Sequence, residues 1–163
     1  MDRRKCFPAI PATEDLRVKH KISFGLVGAA SAFVLDQVSK LLVVANASRL
    51  SSGISILPGF DLVYHRNSGV TFGMLNGFPW WGLVVLALIV CLWLMVMLVR
   101  TKERTEAFAY GLIIGGALGN VLDRTRVGAV TDFLDFYIGE AHWPAFNLAD
   151  VAIFCGAAII LLW

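Results

Sequence analysis

Residues 80–99 read WWGLVVLALIVCLWLMVMLV, without one charged side chain. A helix needs roughly 20 consecutive apolar residues to cross the hydrocarbon of a bilayer, and this run meets that length unaided. Three further apolar segments lie around it. Ile22 to Val44 precedes it and carries Asp36 and Lys40 inside the run. Ala107 to Leu122 follows and is rich in Gly and Ala, and Asn147 to Trp163 closes the sequence. These last two are short and rich in small residues, which suits close helix packing. They read as spans, with a re-entrant pair as the alternative.

Composition points the same way. Of 163 residues, 58% are hydrophobic and 16% charged, with a mean hydropathy of +0.72. Soluble domains carry about 25% charged residues, and a small water-soluble core has no room for this much apolar surface. The expected class is an all-α integral membrane protein. Four transmembrane helices form one domain over 22–163, behind a basic cytoplasmic tail over 1–21.

The tail holds Arg3, Arg4, Lys5, Arg17, Lys19 and Lys21, and Pro8 and Pro11 argue against a long helix there. It reads as loosely ordered. A cleaved secretory signal fits poorly, because the first apolar run is long and contains two charges. Between the first two spans, 46–78 contains SSG, PG and NSG turn signals. Phe60 to His65 within it is rich in β-formers, which suggests a strand or hairpin at the membrane surface. The other long connection is 123–146, in which Thr131 to Ile138 reads as an interfacial helix or strand.

Lys and Arg in short loops set orientation. Arg100, Lys102 and Arg104 join the six basic residues of the tail, whereas the two longer connections hold only Arg49, Arg66, Arg124 and Arg126. Both termini and the 100–106 loop should therefore be cytoplasmic, with both longer connections outside. Asp36 then lies about 21 Å along the first span. Asn120, Asp123 and Arg124 end the third span, and Asn147 and Asp150 begin the fourth, so polar groups gather near the outer interface.

Ionisable groups at membrane depth are costly and persist when they pair or function. Lys40 stands four residues after Asp36, on the same helix face. Asp36–Lys40 and Asp123–Arg124 read at least as well as structural pairs as they do as chemistry. Asp132 and Asp150 have no cation nearby in sequence, although Asp150 has the alternative of capping the fourth helix. Two carboxyl groups close together at a partly desolvated site divide the work of general acid and general base. A proton- or ion-coupled transporter and a non-catalytic scaffold are the rival readings. The one-sided polar groups and the charge-free second span disfavour the first, and the unpaired Asp132 and Asp150 disfavour the second. Cys6, Cys91 and Cys155 form no C-x-x-C pair, and His20, His65 and His142 are scattered. No metal site or cofactor is expected. A net charge of +2 gives no ground for a nucleic-acid partner.

Five blocks together carry a family resemblance. They are DQVSK (36–40), RNSGVTF (66–72), GGALGNVLDR (115–124), VTDF (130–133) and PAFNLAD (144–150). In this order and spacing the chain resembles the lipoprotein signal peptidases, also called signal peptidase II, over about residues 22–163. The resemblance implies an aspartic endopeptidase of the bacterial cytoplasmic (inner) membrane with its active site at the outer face. Such an enzyme removes the signal peptide from diacylglyceryl-modified prolipoproteins, cutting just before the lipidated cysteine. It also implies a small extracytoplasmic β-cradle and Asp132 and Asp150 as the catalytic pair. Asn67, Asn120, Asp123, Arg124 and Asn147 take substrate-binding or site-supporting positions, and Asp36 and Lys40 match the first-span motif. Asp135 is not a catalytic position. Substrate and membrane lipid are the implied partners, and one chain contains the whole site, so the monomer is the expected functional unit. Val70-Thr71 departs from the two alanines common in the second block, and the chain stops at Trp163 without the basic extension many members carry. The segments 54–73 and 131–143 are expected to flank the outer opening, with at least one moving as substrate enters.

Overall fold

A computed structural model describes the backbone of residues 12–69 and 79–163, and side chains from residue 21 onward within those ranges. The elements run α1 (Ala12–Ala45), α2 (Ala47–Leu50), β1 (Ile54–Leu57), β2 (Phe60–Asn67), α3 (Trp80–Arg100), α4 (Arg104–Val127), β3 (Val130–Ile138), β4 (Ala141–His142) and α5 (Leu148–Leu162). Three helical stretches are long and apolar enough to cross a membrane: Lys21–Ala45, Trp80–Arg100 and Arg104–Val127. Leu26, Leu41, Leu86, Leu92 and Trp93 are among many large apolar side chains left exposed on α1 and α3. A water-soluble monomer rarely carries so continuous an apolar surface; in a bilayer it faces lipid.

Helix α4 is the centre of the bundle, packing against α1, α5 and α3. Its sequence explains why. Gly111, Gly115 and Gly119 recur every four residues and so share one face. A Cβ at Gly111 or Gly115 would collide with the backbone carbonyl of Gly25 or Ala29 on α1, and one at Gly119 would strike the carboxylate of Asp36. A Cβ at Gly116 would likewise lie 2.5 Å from the Ala149 carbonyl oxygen of α5. Small residues let the backbones approach closely, as van der Waals packing between membrane helices requires.

The strands form one antiparallel sheet in the order β1-β2-β3-β4. Gly128, at φ 72°, ends α4 by donating its N–H to the Arg124 carbonyl at 2.9 Å and turns the chain into β3. An L-residue with a side chain adopts that φ at a cost. In the register of β2 with β3, His65 lies opposite Asp132 and Asn67 opposite Val130. Beyond β4 the chain returns along β3, where Phe146 exchanges backbone hydrogen bonds with Leu134. That return sets Asn147, the first residue before α5, beside Asp132.

Several expectations are revised. The fold is mostly helical rather than all-α, and the small β-element expected beside the helices is present as a four-stranded sheet over residues 54–67 and 130–142. Of the two readings left open for residues 131–138, helix or strand, the chain takes the strand, paired along its length with β2 and buried from Val130 to Phe133. The helix of the first span starts at Ala12, so 12–21 is not loosely ordered. Both prolines lie before Ala12, and nothing after them breaks a helix. Within the described residues, the segments expected to flank the opening are paired with each other as β2 and β3. Residues 1–11 and Val70-Thr71 lie outside the described residues.

Candidate active site

Asp36 and Lys40 are both buried on α1, with Lys40 Nζ 2.9 Å from Asp36 Oδ2. The expected i,i+4 pair forms. The other expected pair does not. Asp123 accepts from Lys40 Nζ at 3.0 Å instead, while Arg124 donates to the carbonyl of Gly69 at 2.9 Å. Adjacent residues on a helix point about 100° apart, so Asp123 and Arg124 face different neighbours. The third Lys40 donor bond goes to Asn120 Oδ1 at 2.8 Å.

This last bond fixes polarity. An ammonium only donates, so the Asn120 oxygen must face Lys40 and its Nδ2 must point the other way. There it donates to Asp150 Oδ1 at 3.0 Å. Asn147 is fixed by the same logic. Its Oδ1 accepts the Asp150 backbone N–H at 3.0 Å, which turns its Nδ2 toward Asp132 Oδ1 at 2.7 Å and Asn120 Oδ1 at 3.2 Å. Asp150 Oδ2 completes a capping box by accepting the Asn147 N–H at 3.2 Å. The cap and a role in the cluster are therefore not alternatives, since Asp150 uses one oxygen for each.

Asp132 is 2% exposed. Its second oxygen accepts from Asn67 Nδ2 at 2.9 Å, and Asn67 Oδ1 is held by the N–H of Gly69 at 3.0 Å. Burial pushes the Asp132 carboxyl up from the ordinary 3.8 to about 6. The Asn67 hydrogen bond lowers it, the Asp150 charge raises it further, and Asn147 and Lys40 pull it down. Asp132, Asp150, Asn67, Asn120 and Arg124 line one cavity of about 210 Å³, closed by Ala87, Ala117, Val130 and Ile153. A larger groove of about 480 Å³ lies at the other end of α1, around Phe24 and Phe108, and among the described residues no carboxyl group lines it.

The structure thus brings every site residue named from the sequence into one contiguous network. Asp132, Asp150, Asn67, Asn120 and Arg124 reach the cavity, Asn147 joins the two carboxyl groups, and Asp36, Lys40 and Asp123 stand behind. Asp135 is elsewhere, 2.8 Å from His142 Nδ1. The sequence reading missed Gln37. Its Nε2 lies 3.1 Å from Asp36 Oδ2, 3.2 Å from Asp123 Oδ1 and 3.3 Å from the Gly119 carbonyl. An amide inside an apolar run was the available signal. Among the described residues no His, Cys, Asp and Glu cluster has the geometry to hold a metal ion.

The signal peptidase II family model matches residues 28–163. The chain belongs to the signal peptidase II family. The lipoprotein signal peptidase of Aeromonas hydrophila is 50% identical over 139 residues, covering 82% of this chain and 83% of the relative. That of Nitratidesulfovibrio vulgaris is 44% identical over 149 residues, covering 87% and 88%. A solved bacterial membrane enzyme superposes with a TM-score of 0.75 at 27% identity over 85% of each chain. As a signal peptidase II, this chain is a membrane peptidase, and the five sequence blocks all fall within the matched region.

Proposed function

We propose that the chain is an aspartic endopeptidase that removes the signal peptide from diacylglyceryl-modified prolipoproteins, with Asp132 and Asp150 as its catalytic pair. The carrying observation is the convergence of these two carboxyl groups, from β3 and α5, on one cavity between apolar helices. The names of the curated relatives support the substrate class.

Asp132 is the acid of the pair, because burial raises its carboxyl to about 6 and so keeps it protonated to higher pH than an ordinary carboxyl. Asp150 is then the base that takes a proton from water. The water oxygen attacks the scissile carbonyl carbon while Asp132 gives its proton to the carbonyl oxygen. In the collapse Asp150 passes its proton to the amide nitrogen, the C–N bond breaks, and Asp132 recovers a proton from a hydroxyl of the tetrahedral intermediate. The products are the carboxyl end of the signal peptide and the free amino group of the lipidated cysteine. Arg124 and Asn67 hold the substrate backbone beside the pair. Lys40, Asp36 and Asp123 keep Asn120 and the first turn of α5 in place.

In the membrane α5 is the fourth span. Its 15 residues rise only about 22 Å, so its Asn147 cap lies below one surface, at the depth where a lipidated substrate presents its scissile bond. The basic tail and the 100–106 loop are cytoplasmic, both termini are inside, and the cavity opens toward the outer face of the bacterial inner membrane. One chain supplies the whole site, so the monomer is the working unit. Purified protein in detergent, given a diacylglyceryl-modified prolipoprotein, should release the signal peptide. Asp132→Asn and Asp150→Asn should each lose about 10²–10⁴-fold in rate while keeping the wild-type unfolding transition. Undiminished cleavage by either variant would sink the assignment.

A further inference from the structure

A second cleft of about 170 Å³ shares no lining residue with the cavity of Asp132 and Asp150. Alternation along β2 separates them. Asn67 reaches Asp132, and its neighbour Arg66 belongs to the opposite side of the strand. The back wall of the cleft includes Lys40 and Asp123, and both are already satisfied. Lys40 donates to Asp36, Asp123 and Asn120, while Asp123 accepts from Gln37, Lys40 and the Thr131 N–H.

The lining also includes two exposed arginines, Arg66 and Arg126. Neither has a carboxylate partner among the described residues. Arg66 donates Nε to the Tyr64 hydroxyl at 2.8 Å and stacks over that ring, and among the described residues its terminal nitrogens have no partner. Arg126 makes no hydrogen bond or ion pair among the described residues. The apolar part of the cleft is Leu41, Val44 and Val127, all exposed at the ends of candidate spans. Two guanidiniums beside a lipid-facing apolar strip match an amphiphile with an anionic head and an alkyl tail. At this volume the cleft takes a headgroup fragment rather than a whole ligand, since pockets for complete small molecules are typically about 300–1,000 Å³.

We propose that this cleft is a binding site for an anionic membrane phospholipid. The phosphate sits between Arg66 and Arg126, where guanidinium groups make charge-assisted bonds to its oxygens, and one acyl chain runs along Leu41, Val44 and Val127. This ligand is distinct from the proposed substrate, whose diacylglyceryl group carries no phosphate, so the site stands whether or not the cleavage reading holds. Its back wall is the Lys40–Asp123 pair, which places the bound lipid directly behind the network that orients Asn120.

Native mass spectrometry of delipidated protein in a neutral detergent tests this, with phosphatidylglycerol, diacylglycerol of the same chains, and inorganic phosphate as separate probes. One phosphatidylglycerol should bind per chain, and diacylglycerol and inorganic phosphate should each bind at least about tenfold more weakly. Arg66→Gln and Arg126→Gln should each weaken phosphatidylglycerol about ten- to hundredfold, the usual loss for a hydrogen bond to a charged group. Both side chains are exposed, so the unliganded variants should keep the wild-type melting temperature. Arg100→Gln, at the other end of α3, should bind as wild type does. Asp132→Asn should too, which separates a failure here from a failure of the cleavage reading. The proposal is overturned if the two arginine variants retain wild-type affinity or if diacylglycerol binds as tightly. It is equally overturned if inorganic phosphate matches the lipid, which would make the cleft a simple anion site.

Discussion

Asp132 carries four influences from its neighbours, and their balance gives a pH dependence. Its carboxyl lies at about 6, above the ordinary 3.8, because burial outweighs the donors on both oxygens. A raised carboxyl stays protonated to higher pH, so the acid of the pair is present below about 6 and lost as pH rises through that value. The pair titrates as a unit. The profile of kcat/KM should therefore show an alkaline limb with an apparent midpoint near 6 in the free enzyme, measured on the purified protein across pH 4 to about 9. Removing the Asn67 donor with Asn67→Leu should move that limb upward, since Asn67 lowers the Asp132 carboxyl. A limb that stayed in place would show that another group limits the reaction. Asn120 makes the companion point. Its orientation follows from the donor-only Lys40, so a residue on α1 decides which atom faces Asp150 on α5.

At the scale of elements, the α1–α4 contact positions both halves of this network. Gly115 lies against the Ala29 carbonyl, and Gly119 against the Asp36 carboxylate. Gly115→Leu has no space to enter without separating the helices, and overpacking of this kind costs about 1–3 kcal/mol. Thermal unfolding in detergent should show the loss, and cleavage should fall as well, because Lys40 on α1 moves away from Asn120 on α4. A stable variant with full activity would mean the glycine face is not what sets the spacing. On the other side of the site, Asn147→Ala removes both the cap of α5 and a donor to Asp132. Loss of the cap alone costs about 1 kcal/mol.

For the whole molecule, the uneven placement of Lys and Arg predicts topology. With the native cysteines replaced, a cysteine at Lys102 should react with an impermeant maleimide only after the cytoplasmic side is opened. A cysteine at Gly139, in the exposed turn between β3 and β4, should react in intact spheroplasts. The reverse pattern would invert the proposed orientation. The sheet lies at the same end of the bundle as the carboxyl groups, since β3 supplies Asp132 and the return strand supplies Asn147. The candidate site is thus built where the helical bundle meets the sheet, with burial raising Asp132 and a donor on each oxygen of Asp132 and Asp150.

The sequence by itself determined the membrane class and the three long helices, because an uninterrupted apolar run has no other stable home. It also determined the family, because five short blocks in fixed order are specific even where each alone is not. It left undecided whether residues 131–138 form helix or strand, and it paired Asp123 with the wrong cation. Both were decided by contacts distant in sequence. The strand is stabilised by pairing with β2, about 70 residues earlier, and Asp123 prefers the buried ammonium of Lys40, which no local pattern brings near it. Tertiary structure alone oriented the amides of Asn67, Asn120 and Asn147, since an amide has no preferred polarity until a group that can only donate or only accept stands beside it.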